Sequence, residues 1–186
     1  MGGGSPVRII PVYGEGIFSI AWGVIYYTIV FDYVDPTGEF WSYMRDPRNR
    51  RREEEETRRL MQDAIDDERT LVNGVEVRPV VDAAILHFRG SRRRHSITFH
   101  IRIPYSPIDG VNVYENYYEP GTAEYPYIVY WIAQPDGRIR RLETPGRVTY
   151  RSNGRVAVVR VRRGTRINGY EAVEFEAHKP VVESPF

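Results

Sequence analysis

Apolar and polar residues alternate along much of this chain, which is the pattern of half-buried β-strands. The clearest example is the segment 147–161, which folds about the dipeptide Asn153-Gly154, a favoured sequence for the type I′ turn of a β-hairpin. The predicted register places Tyr150 opposite Ala157 and separates an apolar face from an arginine-rich face. A slip by one residue would bury the arginines, so the pattern specifies the register.

Two further hairpins are predicted, one of them from the strands 127–133 and 138–143, which the turn Pro135-Asp136-Gly137 separates. The other is predicted from the strands 83–89 and 95–103. Its polar face carries histidines and arginines, which would form an anion pocket if this face lined the interior of a barrel. Two tyrosines from the aromatic segments join them as candidates. The candidate ligand-binding residues are therefore His87, Arg89, His100, Arg102, Tyr117 and Tyr130.

The most apolar segment is 17–31, which contains no charged residue. A short strand at 7–13 and the sequence Gly14-Glu15-Gly16 precede it. Its fifteen residues fall short of the roughly 20 that a membrane-spanning helix needs, and its β-branched and aromatic content favours strand. We expect no membrane association, and either one strand buried on both faces or two strands broken near Gly23.

One helix is predicted over about residues 47–71, because Asp46-Pro47 has the form of an N-cap followed by proline at the first helical position. An apolar stripe that includes Leu60 and Ile65 runs along one side, and Leu71 would extend it. The other positions are almost all charged.

The segment 104–126 is rich in proline, glycine and tyrosine, and Val111 to Tyr118 has the composition of a strand within it. Loops of this length are often functional. We therefore expect this segment to gate a cavity that aromatic residues of 17–31 and 114–131 line.

These elements predict a single α+β domain over residues 7–179, made mainly of antiparallel strands. About eight strands would form a strongly curved sheet or an incomplete barrel, with the helix at about 47–71 packed on it. Residues 1–6 are expected to form a flexible N-terminal segment or linker, and residues 180–186 a C-terminal tail.

Composition narrows the possible functions. The 186 residues include no cysteine, so disulfides and thiolate chemistry are excluded. The net charge of +1 disfavours nucleic acid as a partner, although local basic patches remain. Lys179 is the only lysine, which makes 25 of the 26 basic residues arginine. Three explanations of this arginine excess are open: a GC-rich genome, a heat-adapted surface of Arg–Glu networks, or an anion-binding surface. We expect the protein to be located in the cytoplasm.

A possible catalytic or metal site lies near the end of the chain, where Glu174, Glu176 and His178 follow the period of a strand. All three side chains would face the same side, and two carboxylates with an imidazole suit a divalent metal or acid–base chemistry. The alternative is a solvated sheet face whose carboxylates pair with arginines of a neighbouring strand.

Three functions remain open at this stage. The first is a β-barrel-like module that binds a small molecule or an anionic ligand. The second is a metal-dependent phosphohydrolase acting on a nucleotide or polyphosphate. The third is a structural or interaction subunit of an assembly, including a homo-oligomer joined through an exposed strand edge. The sequence indicates no particular cofactor, and whether the chain is an enzyme stays open.

Overall fold

A computed structural model describes residues 9–180, so the predicted segment 1–6 and all but Pro180 of the predicted tail lie outside the described residues. The elements, in chain order, are β1 (Ile10–Ala21), β2 (Val24–Val34), α1 (Glu39–Met44), α2 (Pro47–Asp66), β3 (Arg69–Val72), β4 (Val75–Val77), β5 (Val80–Ser91), β6 (Arg94–Pro104), β7 (Gly110–Tyr117), β8 (Gly121–Thr122), β9 (Tyr127–Ile132), β10 (Ile139–Glu143), β11 (Arg147–Arg151), β12 (Val156–Val161), β13 (Arg166–Ile167) and β14 (Tyr170–Ala177). Neither helix of this part of the chain has the length and apolar character needed to cross a membrane.

The strands form two large sheets and one small one. The seven-stranded sheet has the order β11-β12-β9-β1-β2-β6-β5, the five-stranded sheet has the order β10-β14-β7-β3-β4, and β13 pairs with β8. All neighbours are antiparallel except β1 and β9. The mainly antiparallel α+β class is confirmed, but the single curved sheet or incomplete barrel is wrong. Alternation indicates which face of a strand is buried and leaves its neighbours undetermined.

Two of the three predicted hairpins are confirmed, and the one predicted from 127–133 and 138–143 is wrong, because β9 and β10 lie in different sheets. In the β11–β12 hairpin Tyr150 lies opposite Ala157, and Asn153 has the positive φ of 54° that the turn requires. In the β5–β6 hairpin His87 lies opposite Ser96, and a bulge before Ser91 absorbs a shift of register. The polar–apolar period therefore specified these local pairings.

The segment 17–31 consists of two strands, because β1 and β2 form a hairpin that turns at Gly23, where φ is 85°. The two-strand alternative is therefore confirmed. The short strand predicted ahead of Gly14-Glu15-Gly16 is not a separate strand, since β1 runs without a break from Ile10 to Ala21. Glycine inside a strand often marks a place where other groups approach the backbone closely.

The helix α2 begins where predicted and ends earlier. The Asp46 side chain accepts a hydrogen bond from the Arg48 backbone N–H at 2.9 Å, and Pro47 opens the helix. The predicted continuation to residue 71 is wrong, because Arg69–Val72 forms β3 and turns into β4 over Asn73-Gly74. Both turn residues have positive φ, 55° and 74°, as a tight hairpin requires.

Polar side chains of α2 bind the backbone of β5, the edge strand of the seven-stranded sheet. Glu54 accepts a hydrogen bond from the Leu86 N–H at 2.9 Å, and Gln62 accepts one from the Val81 N–H at 2.8 Å. Arg58 donates to the Val81 carbonyl at 3.3 Å. The helix thereby covers a strand edge that would otherwise be open to pairing with another chain. This role explains why α2 is so polar and why Leu60, placed on the predicted stripe, is 63% exposed.

The main core lies between the two large sheets and the end of α2 that carries Ile65. Its centre is a stack of rings in which Phe18 lies 3.7 Å from Tyr27 and 3.8 Å from Trp131 between ring centroids. Phe175 of the five-stranded sheet is also completely buried. Tyr114 of the five-stranded sheet lies 5.1 Å from Trp131 between ring centroids, so aromatic contacts join the two sheets beside the cavity described below.

A second cluster, around Phe40 and Leu86, contains the buried residue His95. The imidazole stacks on Tyr33 at 5.4 Å and lies 4.5 Å from the ring of Phe40. Neither ring nitrogen has a hydrogen-bond partner among the described residues. Burial lowers the pKa of His95, and the nearby Asp35 carboxylate opposes this shift only partly.

We predict that His95→Phe stabilises the protein by about 1–2 kcal/mol at pH 8, because it removes two unsatisfied nitrogens and keeps the ring contacts. In the unfolded chain His95 binds a proton below about pH 6.5, whereas in the folded protein burial disfavours its protonated form. Wild-type stability therefore falls as pH drops through that value. The advantage of the variant should therefore grow between pH 8 and pH 5 in urea unfolding.

His100→Gln is the control, because His100 is exposed. It should not alter the pH dependence. A stability difference between His95→Phe and wild type that stays constant from pH 8 to pH 5 would contradict the conclusion that burial lowers the pKa of His95.

Candidate ligand-binding cavity

A cavity of about 330 Å³ lies between the two large sheets at the end of α2. The helix contributes Met61, Ala64 and Ile65 to its wall. The volume lies within the usual range of small-molecule sites. The cavity is thus the natural place to look for function in this part of the chain.

Two glycines of β1 make room for the aromatic wall. A methyl group on Gly16 would lie 3.2 Å from Cε2 of Tyr27 and 3.4 Å from Cγ2 of Val129. One on Gly14 would lie 3.2 Å from Cβ of Tyr127. Both distances are tighter than ordinary contacts, so glycine lets the rings lie against the strand backbone.

Aromatic rings make up much of the lining. The predicted source of these rings is confirmed, because they come from 17–31 and from 114–131. The first segment supplies Phe18, Tyr27 and Phe31, and the second supplies Tyr114, Tyr118, Tyr125 and Tyr127. The predicted loop 104–126 contributes chiefly through β7 and the residues that follow it, not as a separate lid.

Two carboxylates reach this aromatic site from the five-stranded sheet and the end of the helix. Asn116 of β7 lies opposite Glu171 of β14, and its amide donates to Glu68 at 2.7 Å. Thr70 of β3 donates to the Asn116 carbonyl at 2.9 Å. Glu68 and Glu171 are therefore both neighbours of one amide side chain, and all four residues line the cavity.

The environment of Glu171 disfavours its charge. Burial, and next the neighbouring Glu68 carboxylate, raise the pKa of Glu171 to about 7, against a weak opposing hydrogen bond from Thr144. Burial also raises the pKa of Glu68, which the Asn116 amide partly offsets. Near neutral pH the cavity therefore holds a carboxyl group poised between its neutral and charged forms.

Glu171 is close to the tyrosines as well as to Glu68. Burial is the main reason that the pKa values of the lining tyrosines are raised, and the Glu171 charge raises them further. The tyrosines on which it acts are Tyr27, Tyr114, Tyr118 and Tyr127. One ionisable carboxyl group thus sits among four aromatic rings.

None of the described residues that line the cavity is arginine, lysine or histidine. Glu68 and Glu171 also form no ion pair with the basic side chains of residues 9–180. The cavity is therefore acidic, although the chain as a whole has a net charge of +1.

The candidate ligand-binding residues predicted from sequence lie elsewhere. His87, Arg89, His100, Arg102, Tyr117 and Tyr130 are all absent from the cavity lining. Arg89 lies 3.3 Å from Asp32, and Arg102 forms an ion pair with Asp82. The barrel interior on which the predicted anion pocket depended does not form, because the sheets stay open.

The candidate catalytic and metal residues Glu174, Glu176 and His178 face away from the buried side of β14. Glu176 binds Arg138 and Arg140 of the adjacent segment, and Arg140 lies 2.5 Å from it. Glu174 lies 4.0 Å from Arg141, and His178 lies 3.1 Å from Asp109. Within residues 9–180 no group of three His, Asp or Glu side chains is placed to hold a metal ion.

Sequence reasoning missed Glu171, although a signal was present. Glu171 precedes Val173, Phe175 and Ala177 at the same period-two spacing, so it is the acidic position on an otherwise apolar face. A carboxylate at a core-facing position is rare unless it is paired or functional. The two glycines of Gly14-Glu15-Gly16 were a second signal of the site, because glycine within a strand often marks a place where other groups approach the backbone closely.

Neither protein-family models nor curated proteins match this sequence. The fold resembles parts of larger solved structures. Yeast LTA4 hydrolase in complex with bestatin has a TM-score of 0.41 at 6% identity, over 89% of this chain and 28% of that chain. Native leukotriene A4 hydrolase from Saccharomyces cerevisiae has a TM-score of 0.40 at 5% identity, over 89% and 29%. An aminopeptidase N family protein from Idiomarina loihiensis has a TM-score of 0.37 at 9% identity, over 90% and 29%.

This chain spans less than a third of the length of those structures. At these TM-scores the likeness carries no information about function.

Proposed function

We propose that this domain is a small-molecule-binding module and that its site is the cavity between the two large sheets. The observation that carries the proposal is the cavity itself, about 330 Å³ in volume, with aromatic walls and three carboxylates, of which Glu68 and Glu171 converge on Asn116. A largely apolar pocket with a few convergent polar groups and a perturbed pKa is the usual form of such a site.

The phosphohydrolase alternative receives less support. The carboxylates on which it depends, Glu174 and Glu176, contact arginines of the neighbouring strand, in the manner of an ion-paired sheet face. The cavity lining has no arginine that could hold a substrate phosphate. The interaction-subunit hypothesis stays a prediction.

Ala64 offers a direct test, because it lines the cavity and is also exposed, which places it at the mouth. We predict that Ala64→Trp blocks entry and weakens binding at least about tenfold with little effect on folding, since an exposed helical position tolerates a larger side chain. Isothermal titration with three single-ring compounds, one neutral, one cationic and one anionic, measures the affinity.

Leu60→Trp is the matched control. Leu60 lies one turn earlier on the same helix, is 63% exposed and does not line the cavity. It should bind like wild type. The proposal fails if none of the three compounds binds wild type, or if Ala64→Trp binds them as tightly as Leu60→Trp does.

A further inference from the structure

Resting on the proposed function, we infer that the ligand is an organic cation, an amine or quaternary ammonium group attached to an apolar body, whose charge lies beside Glu68 and Glu171. The apolar body would contact the aromatic wall between β1, β2 and β9. This assigns a chemical class to the ligand of the cavity, and of the two ligand types predicted from the sequence, a small molecule or an anionic ligand, it excludes the anionic one.

The first argument is the combination of rings and carboxylates. Aromatic faces attract cations through the negative potential above the ring, most strongly where water is excluded. Tyr27 and Tyr114 both line the cavity wall. Burial is the main cause of their raised pKa values, and the charge of the nearby Glu171 raises these values further. Rings and carboxylates of this kind surround ammonium ligands in many proteins.

The second argument is the absence of an internal counter-ion. Several other carboxylates among the described residues have arginine partners, and the buried Asp35 is satisfied by hydrogen bonds from Thr37 and Phe40. Glu176, at 9% exposure, binds two arginines, and Asp66 binds Arg78 at 2.7 Å. The chain has 26 basic residues, yet none from the described range lines the cavity.

A charged group that is removed from water without an opposite charge beside it is unfavourable. Glu171 is held in this state by β14, and Glu68, in the segment after α2, by the hydrogen bond from Asn116. A cationic ligand would supply the missing charge. A neutral ligand would leave the two carboxyl groups unpaired, and an anionic ligand would be repelled by them.

The experiment compares three probes of similar size on the full chain. Benzyltrimethylammonium carries a fixed positive charge, neopentylbenzene is its neutral isostere, and 3-phenylpropanoate is an anion. We expect wild type at pH 8 to bind the cation at least about tenfold more tightly than the neutral probe. The anion should bind more weakly than either.

Two variants locate the cause of the preference. Glu171→Gln and Glu68→Gln should each reduce the preference for the cation over the neutral probe at least about threefold, while the affinity for the neutral probe stays the same or rises. Glu174→Gln is the matched control, because it lies on the same strand but on the opposite face. It should keep the wild-type preference.

The preference should also fall between pH 8 and pH 5.5, because the probe keeps its charge while Glu171 takes up a proton. The titratable groups that face Glu171 belong to three strands, to the residue that follows β7 and to the segment after α2. They are Glu68, Tyr27, Tyr114, Tyr118 and Tyr127, and the tyrosines do not ionise in this range.

The outcomes separate the two proposals. If the neutral isostere or the anion binds wild type as tightly as the cation, and Ala64→Trp abolishes that binding, the cation inference is overturned and the proposed function stands. If no probe binds in the cavity, the proposed function falls and the inference falls with it. A cation preference that survives both glutamine variants also overturns the inference.

Discussion

Replacing Glu171 by glutamine should raise the free energy of unfolding by about 2–3 kcal/mol at pH 9 and change it very little at pH 4. The reason is the shift of its pKa from 4.5 in the unfolded chain to about 7 in the fold. One pKa unit corresponds to about 1.4 kcal/mol between the two protonation states. Urea unfolding of wild type and variant at several pH values measures the difference.

The sign follows from proton binding. Between about pH 4.5 and pH 7 the folded protein holds a proton on Glu171 that the unfolded chain has released. Stability therefore falls as pH rises through this window, and above it the full loss is present. Glutamine has the same shape but no charge, so the variant lacks the part of this loss that Glu171 causes.

Glu174→Gln is again the control. Glu174 lies on the face of β14 that points away from the cavity, 4.0 Å from Arg141. A change of this kind on a solvated face should stay within about 0.5 kcal/mol at every pH. Equal stability of wild type and Glu171→Gln at pH 9 would show that the carboxyl group is not in an unfavourable environment.

A residue that lowers stability is informative about function. A glutamine or an apolar residue at position 171 would pack in the same place without the unfavourable charge, so a glutamate there is consistent with the ligand-binding role proposed above. The same reasoning gives a second measurement. A ligand cation should raise the melting temperature of wild type more than that of Glu171→Gln, because only wild type gains a partner for its charge.

Local pattern predicted the local structure well. The period of two gave the β5–β6 and β11–β12 registers, and Asp46-Pro47 marked the start of α2. The order of strands in the sheets could not be predicted in this way. The parallel pairing of β1 with β9 joins segments more than a hundred residues apart, and it depends on packing across the whole domain.

The errors have physical causes that particular residues illustrate. The predicted helix reaches residue 71 because Leu71 extends its apolar stripe, although Asn73-Gly74 is a strong hairpin signal. The predicted site residues, such as His100 and Glu176, lie on outward faces, where polar side chains are common. The informative position was Glu171, a polar residue on an inward face.

Asp35→Ala should destabilise the protein by about 4 kcal/mol, because Asp35 is completely buried and its carboxylate organises the turn into α1. One oxygen accepts hydrogen bonds from the Thr37 N–H at 3.0 Å and from the Thr37 hydroxyl at 2.8 Å. The other accepts from the Phe40 N–H at 2.9 Å. Alanine leaves these donors without a partner, and urea unfolding at pH 7 measures the loss.

Two further variants test whether the loss comes from the carboxylate. Asp35→Asn keeps one acceptor and should lose about half as much stability as Asp35→Ala does. Thr37→Ala removes one hydroxyl and should lose about 1 kcal/mol. Burial alone would raise the pKa of Asp35, but hydrogen bonds from Thr37, Phe40 and Gly38 outweigh it and lower the pKa.

The contribution of this carboxylate is therefore present above about pH 4 and is lost as pH falls further, so the gap between wild type and Asp35→Ala should narrow toward pH 2. A gap of constant size would mean that Asp35 acts through packing alone. The result also bears on the cavity, because α1 leads directly into α2, whose far end forms the cavity wall at Ala64 and Ile65. Asp35→Ala should then weaken probe binding in proportion to the fraction of protein unfolded, whereas Ala64→Trp should weaken it in a fully folded protein.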